Sequence, residues 1–394
     1  MKSERGAALV VALAVLIIVS SLAVGLAAAV RRSLSGAAGD YHRMALLQAA
    51  RGGVNLARAV LAEDDPAHDS LDEDWALLQD ELTELPDGSR LVVRIEDASG
   101  RLNVNTATIE MLSALPGMNQ EMVDCLLDWR DSDEQPRGQG AEREFYETLD
   151  PPYEPANGRL EIVDELLVVK GWTPTLLYQP QEPERSELPL ADLLTVRAGE
   201  RDVNAQGQAR LNLNTATAEQ IERRLGSGVG SALVAYRQQR GLFVSLADLF
   251  DMPGAILEDA VILDEVTVAP SAGIRNTVNV NTAPAQVLAA LPGSDDGLAQ
   301  AIVDRRESDQ GAFETKGDLI EVISPDRLQQ MIDHVSTRSA LWLVTATARP
   351  AGGPGYRTIE AVVQRTADGS QVLSWREVFQ ALPLPPGEED EEDV

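Results

Sequence analysis

The N-terminal segment constrains this chain most, because residues 7–30 contain neither a charged residue nor a proline. A short charged leader, residues 1–6, precedes the segment, and Arg31 and Arg32 follow it. At about 1.5 Å per residue, a helix of this length extends roughly 36 Å and spans a bilayer core of about 30 Å. We therefore predict a transmembrane helix over 7–30 and a single-pass attachment to a membrane.

Three interpretations of this segment compete. A cleaved secretory signal has a shorter apolar core, of about 7–15 residues. A plain signal anchor fits the length. The junction between Gly6 and Ala7 resembles the processing site of type IV prepilins, in which a prepilin peptidase cuts after the glycine. That family usually places Glu at the fifth mature position, where this chain has Val11. From the segment alone, the anchor and the prepilin-like interpretation both stay open.

Composition excludes several classes of function. The formal net charge is −30, which opposes binding to nucleic acid. The single cysteine, Cys125, cannot form a disulfide within the chain. The three histidines are scattered and show no zinc-ligand spacing. No catalytic constellation is present in the sequence, so we predict that the protein is not an enzyme.

Periodicity predicts that the membrane helix continues well beyond the membrane. Apolar residues recur every three or four positions from Leu34 to Leu61, and the pattern ends at Glu63, before an Asp-Asp-Pro sequence. A separate soluble helix is the alternative. A further helix is predicted over 72–85.

Strand patterns flank a long helical block. Partial alternation predicts one strand over 89–97, and three more over 340–348, 358–365 and 371–376 read as an antiparallel meander. The helical block lies between them, at about 98–334. Because the strands are separated only by this block, we expect them to pair in one sheet.

The helical block contains a repeated motif. Asn-x-Asn-Thr-Ala occurs at 103–107, 212–216 and 279–283, each time followed by helix-forming residues and then a Pro-Gly or Gly-x-Gly turn. Such repeats indicate a recurring supersecondary unit, here a helix-hairpin-helix or SAM-like unit. The motif threonines are predicted to be the N-caps of the helices that follow: Thr106, Thr215 and Thr282.

Helix-hairpin-helix units often bind the DNA backbone, which makes a membrane-anchored DNA receptor the alternative function. Two of the three hairpins carry acidic residues where phosphate would lie. Only the second unit offers a cluster of arginines, namely Arg223, Arg224, Arg237 and Arg240. We therefore expect no nucleic-acid partner.

An acidic loop in the first unit is a candidate cation site. Asp131, Asp133 and Glu142 occupy places 1, 3 and 12 of a calcium-loop count, and Asp128 offers another oxygen. Pro136 replaces the glycine expected at place 6, so the loop is not an EF-hand. A calcium site and a solvated acidic loop remain equal alternatives on spacing alone.

Nearly the whole chain resembles the general secretion pathway protein K family of type II secretion minor pseudopilins. The resemblance includes the Gly6-Ala7 junction, Val11 in place of Glu, the run 128–153, the segment 168–172 and the third motif copy. It implies cleavage after Gly6, methylation of Ala7 and calcium in the helical domain. It also implies a place at the pseudopilus tip, with the minor pseudopilins I and J, the major pseudopilin and the prepilin peptidase as partners. The extra material near 173–254 departs from the pattern.

Residues and resemblance together predict an α+β fold. In it, a transmembrane helix continues into a pilin-like helix and antiparallel sheet, which a large all-α SAM-like or helix-hairpin-helix insertion interrupts. The location implied is the bacterial inner membrane, with a single pass and the bulk of the chain in the periplasm. The predicted division is leader 1–6, transmembrane helix 7–30, pilin-like part 31–97, first helical domain 98–205, second helical region 206–334, pilin-like strands 335–382 and acidic disordered tail 383–394.

Overall fold

The structure, a computed structural model, describes residues 2–78, 81–180, 188–252, 261–270, 273–352, 354–367 and 369–384. Most of the predicted acidic tail, from residue 385 onward, lies outside the described residues. The described helices are, in chain order, α1 Lys2–Glu63, α2 Asp74–Leu77, α3 Ile109–Ser113, α4 Gln120–Arg130, α5 Arg143–Tyr146, α6 Pro174–Tyr178, α7 Leu190–Leu193, α8 Ala218–Leu225, α9 Ser227–Arg240, α10 Ile262–Glu265, α11 Ala285–Ala289, α12 Asp296–Arg306 and α13 Pro325–Met331.

The strands among the described residues form one five-stranded sheet and several two-residue ladders. In chain order they are β1 Leu82–Glu84, β2 Arg90–Asp97, β3 Leu102–Asn103, β4 Leu194–Thr195, β5 Glu200–Arg201, β6 Leu211–Asn212, β7 Val266–Thr267, β8 Ile274–Arg275, β9 Val278–Asn279, β10 Val335–Ser336, β11 Leu341–Arg349, β12 Arg357–Thr366 and β13 Gly369–Val378. Short 3-10 turns cover Ala98–Gly100, Val163–Val168, Leu246–Leu249 and Lys316–Glu321.

Helix α1 is continuous from the apolar segment into the folded part, which confirms the predicted long helix. By length and composition the helix suits a membrane span, and none of its most apolar window is buried within the chain. Its C-terminal part is different, because Ala50, Val54, Ala57 and Leu61 are all buried. Their spacing of four and three residues places them on one helix face, which packs on the sheet.

The five-stranded sheet has the order β1-β2-β11-β12-β13, and all its neighbours are antiparallel. The predicted pairing of the two strand groups is confirmed, since Ile95 lies opposite Val344 although the whole helical block separates them. The predicted α+β class is confirmed as well. Helix α1 lies close to the sheet at Gly53, where an added Cβ would stand 2.8 Å from the Cβ of Ala346 and clash.

The predicted helix over 72–85 is wrong. Among the described residues of that range, α2 is the α-helix, and β1 follows, in which Thr83 pairs with Leu91. Gly88, with φ of 80°, forms the turn between the strands. The hairpin adds an edge strand to the sheet, and this tertiary pairing overrides the local helical pattern.

The block between β2 and β11 consists of three units built on the repeated motif. Each unit begins at the motif and closes with a two-residue parallel ladder: β3 with β4, β6 with β7, and β9 with β10. We call them unit 1 (102–195), unit 2 (211–267) and unit 3 (278–336). Their buried apolar residues form one continuous cluster. The predicted region 206–334 thus holds two units, while its assignment as SAM-like or helix-hairpin-helix stays a prediction.

The two asparagines of the motif make the same hydrogen bonds in all three units, which accounts for their presence in each copy. In every unit the side chain of the first asparagine accepts a hydrogen bond from the backbone N–H of the second, at 2.8–3.0 Å. The second asparagine then bonds both backbone groups of one later residue, at 2.8–2.9 Å, as a neighbouring strand would. These pairs are Asn105 with Leu160, Asn214 with Phe243, and Asn281 with Phe313.

An arginine near the end of the second helix of each hairpin holds the motif from the other side. Its guanidinium donates to the carbonyl oxygens of the motif's second and fifth residues, which would otherwise lack partners. The three sets are Arg130 with Val104 and Ala107, Arg237 with Leu213 and Ala216, and Arg306 with Val280 and Ala283.

The predicted N-caps are wrong by two residues. The motif itself forms a turn, in which Ala107 N donates to Asn103 O at 2.8 Å, so the helix begins later. The caps are Thr108, Thr217 and Pro284, and Thr217 forms a capping box with Gln220. The predicted tight turns between the helices are confirmed, with positive φ at Gly117, Gly226 and Gly293.

A buried carboxylate joins the sheet to unit 3. Asp97, at the end of β2, accepts hydrogen bonds from Ser339 Oγ and Thr282 Oγ1 at 2.6 Å and from Asn279 Nδ2 at 2.9 Å. The backbone N–H of Ser99 donates to the same carboxylate at 2.7 Å. The motif of unit 3 is therefore bonded directly to both ends of the helical block.

A second buried polar network connects units 2 and 3 with the segment before unit 2 and with the residues just before β11. Lys316 Nζ lies 2.7 Å from Glu200, and Arg210 bridges Glu200 at 2.9 Å and Asp264 at 3.0 Å. Arg338 completes the network at Asp264. All five side chains are at most 4% exposed. Buried charges of this kind are tolerated only when they are paired.

The structure predicts that the second asparagine contributes more to stability in unit 3 than in unit 2. Asn281→Ala should lower the free energy of unfolding by about 2–4 kcal/mol, because it leaves the N–H and C=O of Phe313 without partners in a buried place. Asn214→Ala is the matched control. Asn214 is only partly buried, so we expect a smaller loss. Chemical denaturation of both variants measures the difference, and equal losses would contradict this account.

Candidate cation site in unit 1

The acidic loop lies between α4 and α5, and the end of α4 determines its path. Asp131 and Asp133 each turn the chain by accepting a backbone N–H two residues on, from Asp133 at 3.3 Å and from Gln135 at 2.8 Å. The chain then returns to α4. Asp128 accepts the N–H of Arg137 at 3.1 Å, and Asp124 accepts that of Gln139 at 2.9 Å.

The fold brings three of the four predicted ligands together. Oxygen atoms of Asp131, Asp133 and Glu142 lie within 4.8 Å of one another. They belong to the two ends of the loop, so the 1, 3 and 12 spacing does converge on one point. Whether these residues bind a metal ion stays a prediction.

Glu142 is the residue that most clearly lacks a partner. It is only 4% exposed, and neither of its carboxylate oxygens has a hydrogen-bond partner. Burial raises the pKa of Glu142 to about 7, and the nearby charges of Asp128 and Asp131 add to the rise. A buried carboxylate without a donor is costly. The donor set is therefore oxygen-rich, negatively charged and short of positive charge, as a hard divalent cation requires.

Asp128 lies beside this group and is paired differently. It is fully buried, and its Oδ1 lies 2.6 Å from Nη1 of Arg137. The same Nη1 lies 2.5 Å from Oδ2 of Asp131. Arg137 was not anticipated from the sequence, since its position in the loop gives no indication of which acids it meets. A Cβ at Gly140 would overlap Oδ2 of Asp128, so this position requires glycine.

Aromatic side chains hold the base of the loop. The rings of Trp129 and Tyr146 meet edge to face with centroids 5.2 Å apart, and Tyr153 packs on Tyr146 at 5.3 Å. The Tyr146 hydroxyl accepts the N–H of Lys170 at 3.3 Å. These contacts fix α5, and with it Glu142, relative to α4.

A second acidic group, which sequence reasoning missed, lies at the end of α1. It contains Asp64, Asp69 and Glu73. Burial raises the pKa of Asp69, although Arg365 lies 2.8 Å away and Ser339 N donates to it at 2.6 Å. Because Arg365 follows Asp69 by almost 300 residues, no local pattern signals the pair. These acids have protein donors, which distinguishes them from Glu142.

The other predicted site residues, Gly6 and Ala7, lie near the start of α1. The backbone there is helical from Lys2 onward. Processing between Gly6 and Ala7 stays a prediction.

Comparison with known proteins shows which family the chain is similar to. Two segments match family profiles described as type II secretion system (T2SS), protein K: residues 92–181, which contain the acidic loop, and residues 278–338, which contain unit 3.

Curated relatives agree with the profiles. The type II secretion system protein K of Pseudomonas aeruginosa is 34% identical over 195 residues, covering 43% of this chain and 58% of the relative. The putative type II secretion system protein K of Escherichia coli K12 is 28% identical over 213 residues, covering 48% and 64%. The chain thus spans about three fifths of the length of these relatives.

A solved structure shares the fold. It is the crystal structure of the GspK-GspI-GspJ complex from the enterotoxigenic Escherichia coli type 2 secretion system. The match has a TM-score of 0.53 and 15% sequence identity, and covers 87% of this chain and 99% of that chain. Two segments of the chain and its curated relatives thus show similarity to type II secretion system protein K, and the solved structure shows the same fold.

Proposed function

We propose that this protein is a minor pseudopilin at the tip of the type II secretion pseudopilus, where it helps to initiate assembly and to export folded proteins across the outer membrane. The observation that carries the proposal is the continuous helix α1, which leads from an apolar N-terminus directly onto an antiparallel sheet. The solved relative was crystallised in a complex of GspK, GspI and GspJ, which supports minor pseudopilins I and J as partners.

Two features favour the tip rather than the shaft. Position 11 is Val, so this subunit has no carboxylate to pair with the terminal amine of a subunit above it. The three helical units, inserted between β2 and β11, add bulk that a repeating subunit would have to accommodate at every step. A subunit with neither the pairing group nor a compact head suits the end of a filament.

The apolar part of α1 accounts for the proposed location. A single span in the bacterial inner membrane would leave the sheet and the three units in the periplasm. The prepilin peptidase would cut after Gly6 and the new N-terminus at Ala7 would be methylated, which frees α1 to enter the filament beside the major pseudopilin.

Calcium is the cofactor we propose for unit 1, since its preferred ligands are several oxygens in a flexible arrangement. Asp131, Asp133 and Glu142 would hold the ion, with Asp128 beside it. The ion would supply the positive charge that Glu142 lacks. It would thereby hold both ends of the loop together and stabilise unit 1.

Processing can be tested directly. We expect the protein from membranes that contain the prepilin peptidase to begin at methylated Ala7, as measured by intact mass and N-terminal sequencing. A Gly6→Val variant should keep its leader, because the enlarged side chain obstructs cleavage. A wild-type chain that begins at Met1 beside an active peptidase would contradict the pseudopilin proposal and leave a membrane-anchored scaffold or receptor.

The tip position predicts that a buried carboxylate is harmful at position 11. Val11→Glu should reduce pseudopilus assembly and secretion, because the added charge has no partner above it in the filament. Val11→Leu is the control and should leave both unchanged. Unaltered secretion in the Glu variant, measured as exported enzyme in the medium, would argue against this explanation of the tip.

Calcium should stabilise the full-length protein in detergent. At a hundredfold excess over Kd the gain is about 2.7 kcal/mol, visible as a higher melting temperature. Glu142→Gln should abolish the gain, whereas Glu144→Gln, at an exposed position on α5, should preserve it. If calcium stabilised the Glu142→Gln variant as strongly as the wild type, the proposed ligand set would be wrong.

A further inference from the structure

We infer that Arg137 is an internal counter-ion of the calcium site: it neutralises Asp131 in the metal-free protein and releases it when calcium binds. The inference rests on the calcium site proposed above. It assigns to Arg137 control over the affinity of that site, a role that differs from ligation.

Both carboxylate oxygens of Asp131 already have partners in the protein. Oδ2 of Asp131 lies 2.5 Å from Nη1 of Arg137, and its Oδ1 accepts the N–H of Asp133. Both oxygens are therefore engaged, although Asp131 lies in the group that converges with Glu142. Glu142, in contrast, has no donor at either oxygen. One ligand of the group is thus held by a protein cation and another is left free.

The other basic side chains near the loop have different partners. Arg143 pairs with Glu134 at 3.3 Å and Glu154 at 2.9 Å, both outside the group. Arg130 donates to the motif carbonyls of unit 1. Among the recorded ion pairs of the described residues, Arg137 is the cation that meets Asp128 and Asp131.

The Arg137 guanidinium and a calcium ion would compete for the carboxylate of Asp131, because both are positively charged. A guanidinium that holds Asp131 would stand within a few ångströms of a calcium ion bound to the same carboxylate. Like charges at such a distance repel each other, and the partial exposure of Arg137 to solvent weakens the repulsion without removing it. Calcium therefore has to displace the guanidinium from Asp131, and the displacement lowers the net affinity.

The loop allows this exchange without refolding. The backbone N–H of Arg137, which the exchange does not disturb, donates to Asp128 at 3.1 Å. Gly140 packs against the same carboxylate. The side chain of Arg137 is 37% exposed, so the guanidinium has a path to solvent while the main chain stays in place.

The test compares Arg137, within the loop, with Arg143, the first residue of α5. Calcium affinity is measured by calorimetry on the full-length protein in detergent, for wild type, Arg137→Gln and Arg143→Gln. We expect Arg137→Gln to bind calcium about tenfold more tightly, because the competing charge is gone. Arg143→Gln removes the same charge from the start of α5 without touching Asp131, and its affinity should change by less than about threefold.

The outcomes separate this inference from the calcium proposal. If wild type binds calcium and Arg137→Gln binds it equally or more weakly, the counter-ion role is wrong and the site stands. If wild type does not bind calcium at all, both are wrong. A weaker Arg137→Gln variant would instead make the arginine part of the scaffold of the site.

Stability gives a second readout. Without calcium, Arg137→Gln should melt at a lower temperature than wild type, because Asp128 and Asp131 lose their cation; with calcium, the difference should shrink. If the variant folds only in calcium, its affinity is measured by titrating the loaded protein with a chelator. Arg137→Lys keeps the charge and should stay within about threefold of wild type. A tenfold gain in that variant would contradict the inference.

Discussion

The structure depends on the antiparallel pairing of β2 with β11, two strands that about 240 residues of chain separate. This pairing completes the sheet on which α1 packs, and it fixes the two points where the helical block leaves and rejoins the sheet. Asp97 stands at that junction, bonded at once to Ser339 and to the motif of unit 3. The helical block is therefore fixed to the sheet where it leaves and where it rejoins it, and is not attached through a flexible linker.

Apolar and polar contacts both join the units. Their buried apolar residues form one cluster, and the buried charges around Glu200 connect Asp264 of unit 2, through Arg210, with Lys316 of unit 3. Within each unit, asparagine and arginine bonds to main-chain atoms hold the motif. Such bonds require one geometry, whereas apolar surfaces tolerate several. A rigid folded part suits a subunit at the end of a filament, the position proposed for this protein.

Local patterns predicted the parts of the fold that local physics determines. The sequence correctly predicted the long helix α1 from its periodicity, the β11–β13 meander from alternation, and the repeated unit from its motif. The spacing of the acids in the loop also predicted that Asp131 and Glu142 lie close together. The errors have different causes. The chain after α2 forms a hairpin whose second strand is held by β11, and Asp69 pairs with Arg365, so both depend on segments far away in sequence. The N-cap error is local, because the motif forms its own turn before the helix begins. The contact of Arg137 with two acids depends on how a proline-containing loop turns back, which spacing does not specify.

The short parallel ladders have a consequence for the path of the chain. In unit 2 the entering strand β6 pairs directly with the leaving strand β7, so the unit begins and ends at neighbouring points. Unit 2 also falls between the two family-matched segments, which end at residue 181 and resume at 278. Because its two ends are adjacent, unit 2 adds little distance to the path of the chain from unit 1 to unit 3. The chain thus holds this unit outside the two matched segments, while Asp264 bonds it to Arg338 just before the central strand of the sheet.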